Sequence, residues 1–342
     1  MSINGNKDPK VTVLMSVYNN ETTVAAAIDS ILNQTFTDFE FIVIDDCSTD
    51  NSLNVIKNFS DKRIRLIENR SNMGLTKSLN KGLDAAAGIY IARMDSDDIS
   101  EISRLEKQVV FIEENKDFIL IGSSYRIINK GREIIREVLY NSSPEKIYYD
   151  LLFQNMFAHA SVIFRLDRAR ELGGYNENYR FAQDYDFWCR LASRGKIWVT
   201  PDILISWTQD DRNISGTNLY EQQKVSQEVF NDNFKKLNIS GTGLQKLQYF
   251  HNFYDNHFFK IPGNKIQETF NSLKYANLEL IKNAPLFYDR KNLILAAYDT
   301  LIYLAALLYK NNINKRQVVK FLIRNLFDPG VDRALLKKIF KN

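Results

Sequence analysis

The chain has 342 residues and a net charge of +4, with 44% hydrophobic and 25% charged residues. This ordinary globular mix excludes a disordered, collagen-like or low-complexity chain, and 22 Phe and 17 Tyr supply the core of one large domain or two smaller ones. Two cysteines, Cys47 and Cys189, are too few for a disulfide framework or a zinc finger, so a reducing compartment is expected. Residues 1–10 are polar and lack the apolar stretch of a signal peptide. No uncharged apolar run reaches the ~18 residues of a transmembrane helix. The charge is uneven. Residues 281–342 hold 12 Lys and Arg against 4 Asp, leaving the body mildly acidic. A nucleic-acid binder would spread basic surface over its folded body, so none is expected as a partner.

The β-branched run Val11–Val17 predicts a buried strand, ending at Tyr18-Asn19-Asn20. Val24, Ala27, Ile28, Ile31 and Leu32 follow at helical spacing. A second strand, Phe39 to Ile44, runs into Asp45-Asp46-Cys47-Ser48-Thr49-Asp50, and Leu53, Ile56 and Phe59 mark the next helix. A short strand at Ile64 to Ile67 precedes a helix carrying Leu75, Leu79 and Leu83 and closed by Gly88. Ile89 to Met94 is a fourth strand, ending in Asp95-Ser96-Asp97-Asp98. Strand and helix alternating at this pitch mean βαβ units and a mostly parallel sheet flanked by helices. Ligands of such sheets bind beyond the carboxyl ends of the strands, and here two of those ends carry carboxylates.

No G-x-G-x-x-G follows the first strand and no P-loop occurs, which argues against an NAD-dependent enzyme on a doubly wound sheet. A divalent cation held by carboxylates is the alternative means of holding phosphate. Side chains alternate along an extended chain, so Asp95 and Asp97 are expected on one side and Asp98 on the other. Two carboxylates at the mouth of a parallel sheet suit Mg²⁺ or Mn²⁺, which fill their remaining positions with phosphate oxygens and water. The competing reading is a solvated acidic turn that caps the next helix. Asp45-Asp46 has the same two readings: a cap, or a carboxylate that accepts from a nucleobase or ribose.

The segments Val11-Thr12-Val13-Leu14-Met15-Ser16-Val17-Tyr18-Asn19, Ser30-Ile31-Leu32-Asn33-Gln34-Thr35-Phe36, Ile44-Asp45-Asp46-Cys47-Ser48-Thr49-Asp50 and Ile91-Ala92-Arg93-Met94-Asp95-Ser96-Asp97-Asp98 occur in this order. Together they resemble family 2 glycosyltransferases over roughly Val11 to Trp207, most of all the bacterial members that build O-antigen, lipooligosaccharide or capsule. The resemblance implies a GT-A fold, inverting transfer from a nucleotide sugar (most often a UDP-sugar), and a divalent metal. It implies that Asp46 binds the base, that Tyr18 lines the nucleotide pocket, that Asp95 lies by ribose and metal, and that Asp97 ligates the metal. The family's catalytic base lies in an acidic pair before Tyr-Asp-x-Trp. Here that stretch reads Gln183-Asp184-Tyr185-Asp186-Phe187-Trp188, so Asp184 matches the base while Gln183 departs from the pattern. Tyr185, Trp188 and Leu191 have helical spacing, which puts Asp184 at a helix start, where a plain cap is the competing reading. A non-catalytic sugar-binding relative would have no need of a base.

Lesser candidates are Asn72 and Lys77, flanking the loop after the third strand, where Lys77 can meet a phosphate. His159, just before a predicted strand, is a candidate contact to acceptor or diphosphate, or a hydrogen-bonded structural histidine. Gly173-Gly174 reads as a turn. His251 and His257 are six residues apart, the wrong spacing for a shared metal on a helix, and Arg212 lacks the neighbouring His of the family's stretch.

The catalytic domain is expected over residues 1–218 and a helical, basic region over 219–342. Residues 292–309 are apolar but interrupted by Asp299, which favours a buried helix over a span. The basic amphipathic stretches at 315–327 and 333–341 suit an anionic membrane surface, or packing on the body or on a second subunit as a homo-oligomer. A cytoplasmic enzyme, peripheral on the inner membrane and acting on a lipid-linked glycan acceptor, fits the first of these.

Overall fold

A computed structural model describes residues 8–210, 219–236, 277, 281–297 and 299–300. The chain divides into two compact units, one of 1–142 and 156–225, the other of 143–155 and 226–342. The boundary expected at 218 falls inside the first unit, and the segment Ser143–Asn155 joins the second.

In the first unit, strands β1 (Val11–Val17), β2 (Phe39–Asp45), β3 (Ile64–Glu68) and β4 (Tyr90–Asp95) run parallel in the order β3-β2-β1-β4. Helices α1 (Val24–Leu32), α2 (Ser52–Lys57) and α3 (Leu75–Ala85) make the crossovers. Beyond β4 the sheet becomes mixed. β5 (Ile99–Ser100), β6 (Phe118–Ile128), β7 (Ile134–Val138), β8 (Ile163–Arg165) and β9 (Lys196–Thr208) extend it to nine strands among the described residues. β8 is antiparallel to β4 and β6, while β6 and β9 are parallel. α4 (Arg104–Glu114), α6 (Leu166–Glu171) and α7 (Gln183–Ala192) complete the helices of this unit up to residue 210.

The central strands are buried on both faces, which explains their near-continuous apolar sequences. Val11, Val13, Met15 and Val17 share a core with Ile28 and Ile31 of α1 and Leu105 and Val109 of α4. Each fully buried aliphatic side chain contributes about 1.5–3 kcal/mol. Leu14 and Ile44 meet α3 at Gly82, where a Cβ would lie 2.2 Å from Leu14 Cδ1. The helix ends at Ala85, and Arg170 Nη2 donates to the carbonyls of Leu83 (2.9 Å), Asp84 (3.2 Å) and Ala86 (2.9 Å), satisfying acceptors that a helix end leaves open.

Gly88, expected to close α3, serves instead as the place where the chain passes against the backbone of β1. A Cβ there would sit 2.4 Å from Thr12 N and 2.7 Å from Val11 C. Neither atom can move without shifting the strand. Gly88→Ala should therefore destabilise the protein by roughly 2–3 kcal/mol; urea unfolding measures this, and a loss below about 0.5 kcal/mol would contradict the packing.

In the second unit, α5 (Pro144–Leu151) is capped by Ser143, whose Oγ accepts from Lys146 N at 3.2 Å. Tyr148 stacks on Tyr288 (centroids 4.2 Å apart), Tyr149 Oη donates to Asn277 Oδ1 (2.8 Å), and Phe153 packs on Phe230 and Phe234. The last two lie on α8 (Leu219–Lys236). No helix among the described residues is long and apolar enough to cross a membrane. The basic stretches at 315–327 and 333–341, His251, His257 and Arg212 lie outside the described residues.

Candidate active site

The parallel register gathers the predicted residues at one edge of the sheet. Ser16 pairs with Asp95 and Val17 with Asp45, so the segments that follow β1, β2 and β4 emerge side by side. Tyr18 is 46% exposed there. Asn19, at φ 54°, accepts from Thr49 N (2.8 Å), and Asn20 N donates to Ser52 Oγ (2.8 Å). Asn20 Nδ2 also donates to Ser96 Oγ, between the two acids of the D-x-D. The first loop is thus tied to both carboxylate-bearing loops.

Asp46 is buried and heavily engaged. Its Oδ1 accepts from Asn69 Nδ2 (2.7 Å) and Met73 N (2.9 Å), and its Oδ2 from Gly74 N (2.8 Å). Gly74, at φ 84°, is the residue that opens α3, a conformation glycine adopts at little cost. Asp46 therefore shapes the loop that presents Asn72 and Lys77, both exposed, with Lys77 in the first turn of α3.

Along β4 and beyond, exposure alternates as the extended chain requires: Asp95 and Asp97 are half-buried, Ser96 and Asp98 buried. Asp98 accepts from Thr208 N (2.9 Å) and fastens the loop to β9. Burial, with Asp95 and Asp97 nearby, holds its carboxyl well above the usual range. Asp97 is pushed up to about 7, first by burial and then by the charge of Asp95. A cation between Asp95 and Asp97 would relieve that repulsion. The donors are all hard carboxylate oxygens, which fits Mg²⁺ or Mn²⁺ completed by phosphate and water. Among the described residues no group of three His, Cys, Asp or Glu could hold a metal by itself.

Two arginines that sequence reasoning passed over underlie these acids. Arg93, 0% exposed, forms an ion pair with Asp95. That leaves Asp97 as the acid less committed to the protein. Arg104, equally buried, donates to the carbonyls of Arg93 (2.8 Å) and Val162 (3.1 Å). Buried charge must be compensated, and a lone arginine inside the apolar run Tyr90–Asp95 is the sequence signal that could have revealed it.

His159 opens a short 3₁₀ turn (His159–Ser161) before β8. Its Nε2 lies 3.1 Å from Tyr175 Oη, and its ring meets Tyr175 and Trp188 edge-on. Burial and the nearby Arg93 push it well below the ordinary histidine range, so it is neutral. Gly173 and Gly174, at φ 73° and 70°, form the expected turn before Tyr175.

Asp184 is the second residue of α7, and Ala182 rather than Asp184 occupies the cap position. Ala182 adopts φ 52°, a left-handed conformation costly for a residue with a Cβ. Such strain concentrates at functional sites. Asp184 is half-buried, with Oδ1 accepting from Tyr185 N at 2.8 Å. Burial raises the Tyr175 hydroxyl far above its ordinary range, with Arg93 opposing and with Asp184 and Asp95 reinforcing the shift.

A family model described as glycosyl transferase family 2 matches residues 12–169. The O-antigen biosynthesis glycosyltransferase WbnJ of Escherichia coli is 36% identical over 188 residues, covering 54% of this chain and 72% of WbnJ. The E. coli UDP-Glc:alpha-D-GlcNAc-diphosphoundecaprenol beta-1,3-glucosyltransferase WfgD is 33% identical over 190 residues, covering 56% of this chain and 72% of its own. Among solved structures, S. aureus TarS 1–349 in complex with UDP-GlcNAc superposes with a TM-score of 0.60 at 19% identity, over 92% of each chain, a likeness of fold alone. With the strand-end acids in the family's order and a GT-A sheet beneath them, the chain belongs to glycosyl transferase family 2 and is a glycosyltransferase.

Proposed function

We propose that the protein moves a sugar from a UDP-sugar to a hydroxyl of a lipid-linked surface-glycan precursor, with inversion at the anomeric carbon. The observation that carries this reading is the parallel register that brings the acids ending β2 and β4 out side by side next to the exposed Tyr18, with Asp184 half-buried in the first turn of α7 behind the left-handed Ala182. It supports a metal-binding role for the acids after β4 and a general-base role for Asp184. The donor and acceptor classes are supported by WfgD, whose name specifies UDP-Glc and a diphosphoundecaprenol-linked acceptor.

In this reading Asp184 takes the acceptor hydroxyl proton as the oxygen attacks from one face of the sugar, while the nucleoside diphosphate leaves from the other. The N-terminal end of α7 turns positive backbone polarity towards the Asp184 carboxylate. Tyr18 lines the nucleotide pocket. Asp46 serves the base chiefly by fixing the loop of Asn72 and Lys77, and Lys77 offers charge to a phosphate. Asp97, with Asp95, holds the divalent ion, which when bound supplies positive charge to the departing diphosphate. In this reading His159, whose Nε2 lies 3.1 Å from Tyr175 Oη, contacts acceptor or diphosphate or steadies that tyrosine. Work at a lipid-linked acceptor implies a protein on the cytoplasmic face of the inner membrane. The sequence stretches that suit an anionic surface lie outside the described residues.

The test is a panel of UDP, GDP and dTDP sugars read by thermal shift with and without Mn²⁺. A metal-dependent shift for a UDP-sugar is expected, with transfer lost in EDTA and restored by Mn²⁺ or Mg²⁺. Preference for GDP or dTDP sugars would remove the UDP assignment, and full activity in EDTA would remove the metal role of Asp97.

A further inference from the structure

Helix α3 meets the nucleotide side of the site at its start and the base side along its flank. It begins after Gly74, whose N–H donates to Asp46 Oδ2 (2.8 Å), and its first turn carries Lys77. Thr76 and Asn80, four positions apart on α3, share one face of the helix. Both reach the segment that leads from Gly174 to Asp184. Thr76 Oγ1 donates to the carbonyl of Tyr179 (3.2 Å). Asn80 holds Tyr175 by both of its backbone groups: Oδ1 accepts from Tyr175 N (2.8 Å), and Nδ2 donates to Tyr175 O (2.9 Å). Nδ2 also donates to Glu177 Oε1 (3.0 Å). The Tyr175 ring is buried and packs on Phe187 of α7, with centroids 4.5 Å apart. Tyr175 is therefore fixed to α3 by its backbone and to α7 by its ring.

The first of these links needs a carboxamide. The backbone groups of α3 are spent along its own axis, so a side chain must offer Tyr175 one acceptor and one donor together. Among side chains of this length asparagine does so. The approach is close: a Cβ on Gly174 would lie 2.5 Å from Asn80 Oδ1. Without Asn80 the buried N–H and C=O of Tyr175 would lose these partners, and such groups do not stay unpaired. The chain from Gly174 to Ala182 would shift to satisfy them, and that chain sets the start of α7. We propose that Asn80 is a positioning residue for transfer, placing Asp184 through Tyr175 and α7. This rests on the reading of Asp184 as the base. A base on one element and a donor held by another need a common reference to meet at one anomeric carbon, and α3 supplies it.

The test uses the full-length protein with Mn²⁺, the nucleotide sugar selected by the donor panel, and water as acceptor. Water must give up a proton as it attacks, as a sugar hydroxyl must. The rate is read as single-turnover release of the nucleoside diphosphate, beside donor affinity. Asn80→Ala should bind the donor as wild type does and lose about 10²-fold in rate, the scale of a small misplacement of a reacting group. Asn80→Asp keeps the volume and the acceptor for Tyr175 N but not the donor, and should fall between the two. In the Asp184→Asn background, Asn80→Ala should cost nothing further, because no base is left to place. A loss of folded protein would instead multiply the two defects. Should Asn80→Ala fail to fold, Asn80→Asp carries the same comparisons. A wild-type rate in the Asn80 variants beside a slow Asp184→Asn would overturn the proposal and leave the base reading standing. So would a full second loss in the double variant, or donor binding lost together with rate. A wild-type rate in Asp184→Asn would remove the base reading, and the proposal with it.

Discussion

Asp184→Asn should retain donor binding and lose transfer by about 10²–10⁴-fold, the range for removal of a general base. Asparagine keeps the size of the side chain and an oxygen that can accept from Tyr185 N, as Asp184 Oδ1 does at 2.8 Å. The helix start and the left-handed Ala182 before it should survive the exchange. What disappears is the ability to hold a proton while the acceptor oxygen attacks. The prediction is read from single-turnover transfer alongside donor affinity, since a folding defect would weaken both. Near-normal turnover would show that Asp184 is not the base. Asp186 would then be a poor substitute, because its carboxylate accepts from Arg190 Nε at 2.8 Å and is largely covered. His159 would be a reluctant substitute as well, because burial and Arg93 disfavour its protonated form.

The second large effect runs in opposite directions for stability and activity. Asp97 is pushed up to about 7 by burial and by Asp95, so the folded protein holds its proton more tightly than the unfolded chain does. For such an acid, stability is fully present below the unfolded pKa and is lost as pH rises through the folded value. Asp97→Asn removes that loss. Without metal, the variant should be more stable than wild type at pH 8 by roughly 1–3 kcal/mol, given about 1.4 kcal/mol per pKa unit and partial solvent screening. The advantage should vanish by about pH 4. The same variant should lose metal-dependent transfer, and Mn²⁺ with UDP should raise the melting temperature of wild type alone. Thermal unfolding across pH, with and without Mn²⁺, checks all three. Identical pH profiles for the two proteins would mean that Asp97 carries no such strain.

The strand-end acids were legible because burial on both faces of a parallel sheet writes itself as β-branched runs, and because polar residues resume where each strand leaves the core. Alternation beyond Met94 correctly set Asp95 and Asp97 apart from Asp98. The engagement of Asp46 was not legible, since its partners Asn69, Met73 and Gly74 come from a segment whose approach only the fold determines. The second half of the sheet was also hidden. β8 is antiparallel to β4 and β9 parallel to β6, and local sequence does not carry the direction of a distant partner. The buried Arg93 and Arg104 were less legible, since a single cation in an apolar run does not carry the identity of its distant partners, here Asp95 and the carbonyls of Arg93 and Val162.

The assignment of α5 bears on how this protein can be dissected. Tyr149 and Phe153 are fully buried, and their companions Asn277, Phe230 and Phe234 come from after residue 225. The segment itself is flanked on both sides by chain of the first unit, so the second unit is assembled from pieces on either side of Met156–Val225. A stop codon after 225 would therefore not yield a minimal catalytic fragment. It would leave α5 tethered in place with an aromatic face stripped of cover, the kind of surface that drives aggregation. A usable fragment would need Tyr148, Tyr149 and Phe153 recoded as polar residues, or Ser143–Asn155 replaced by a short linker.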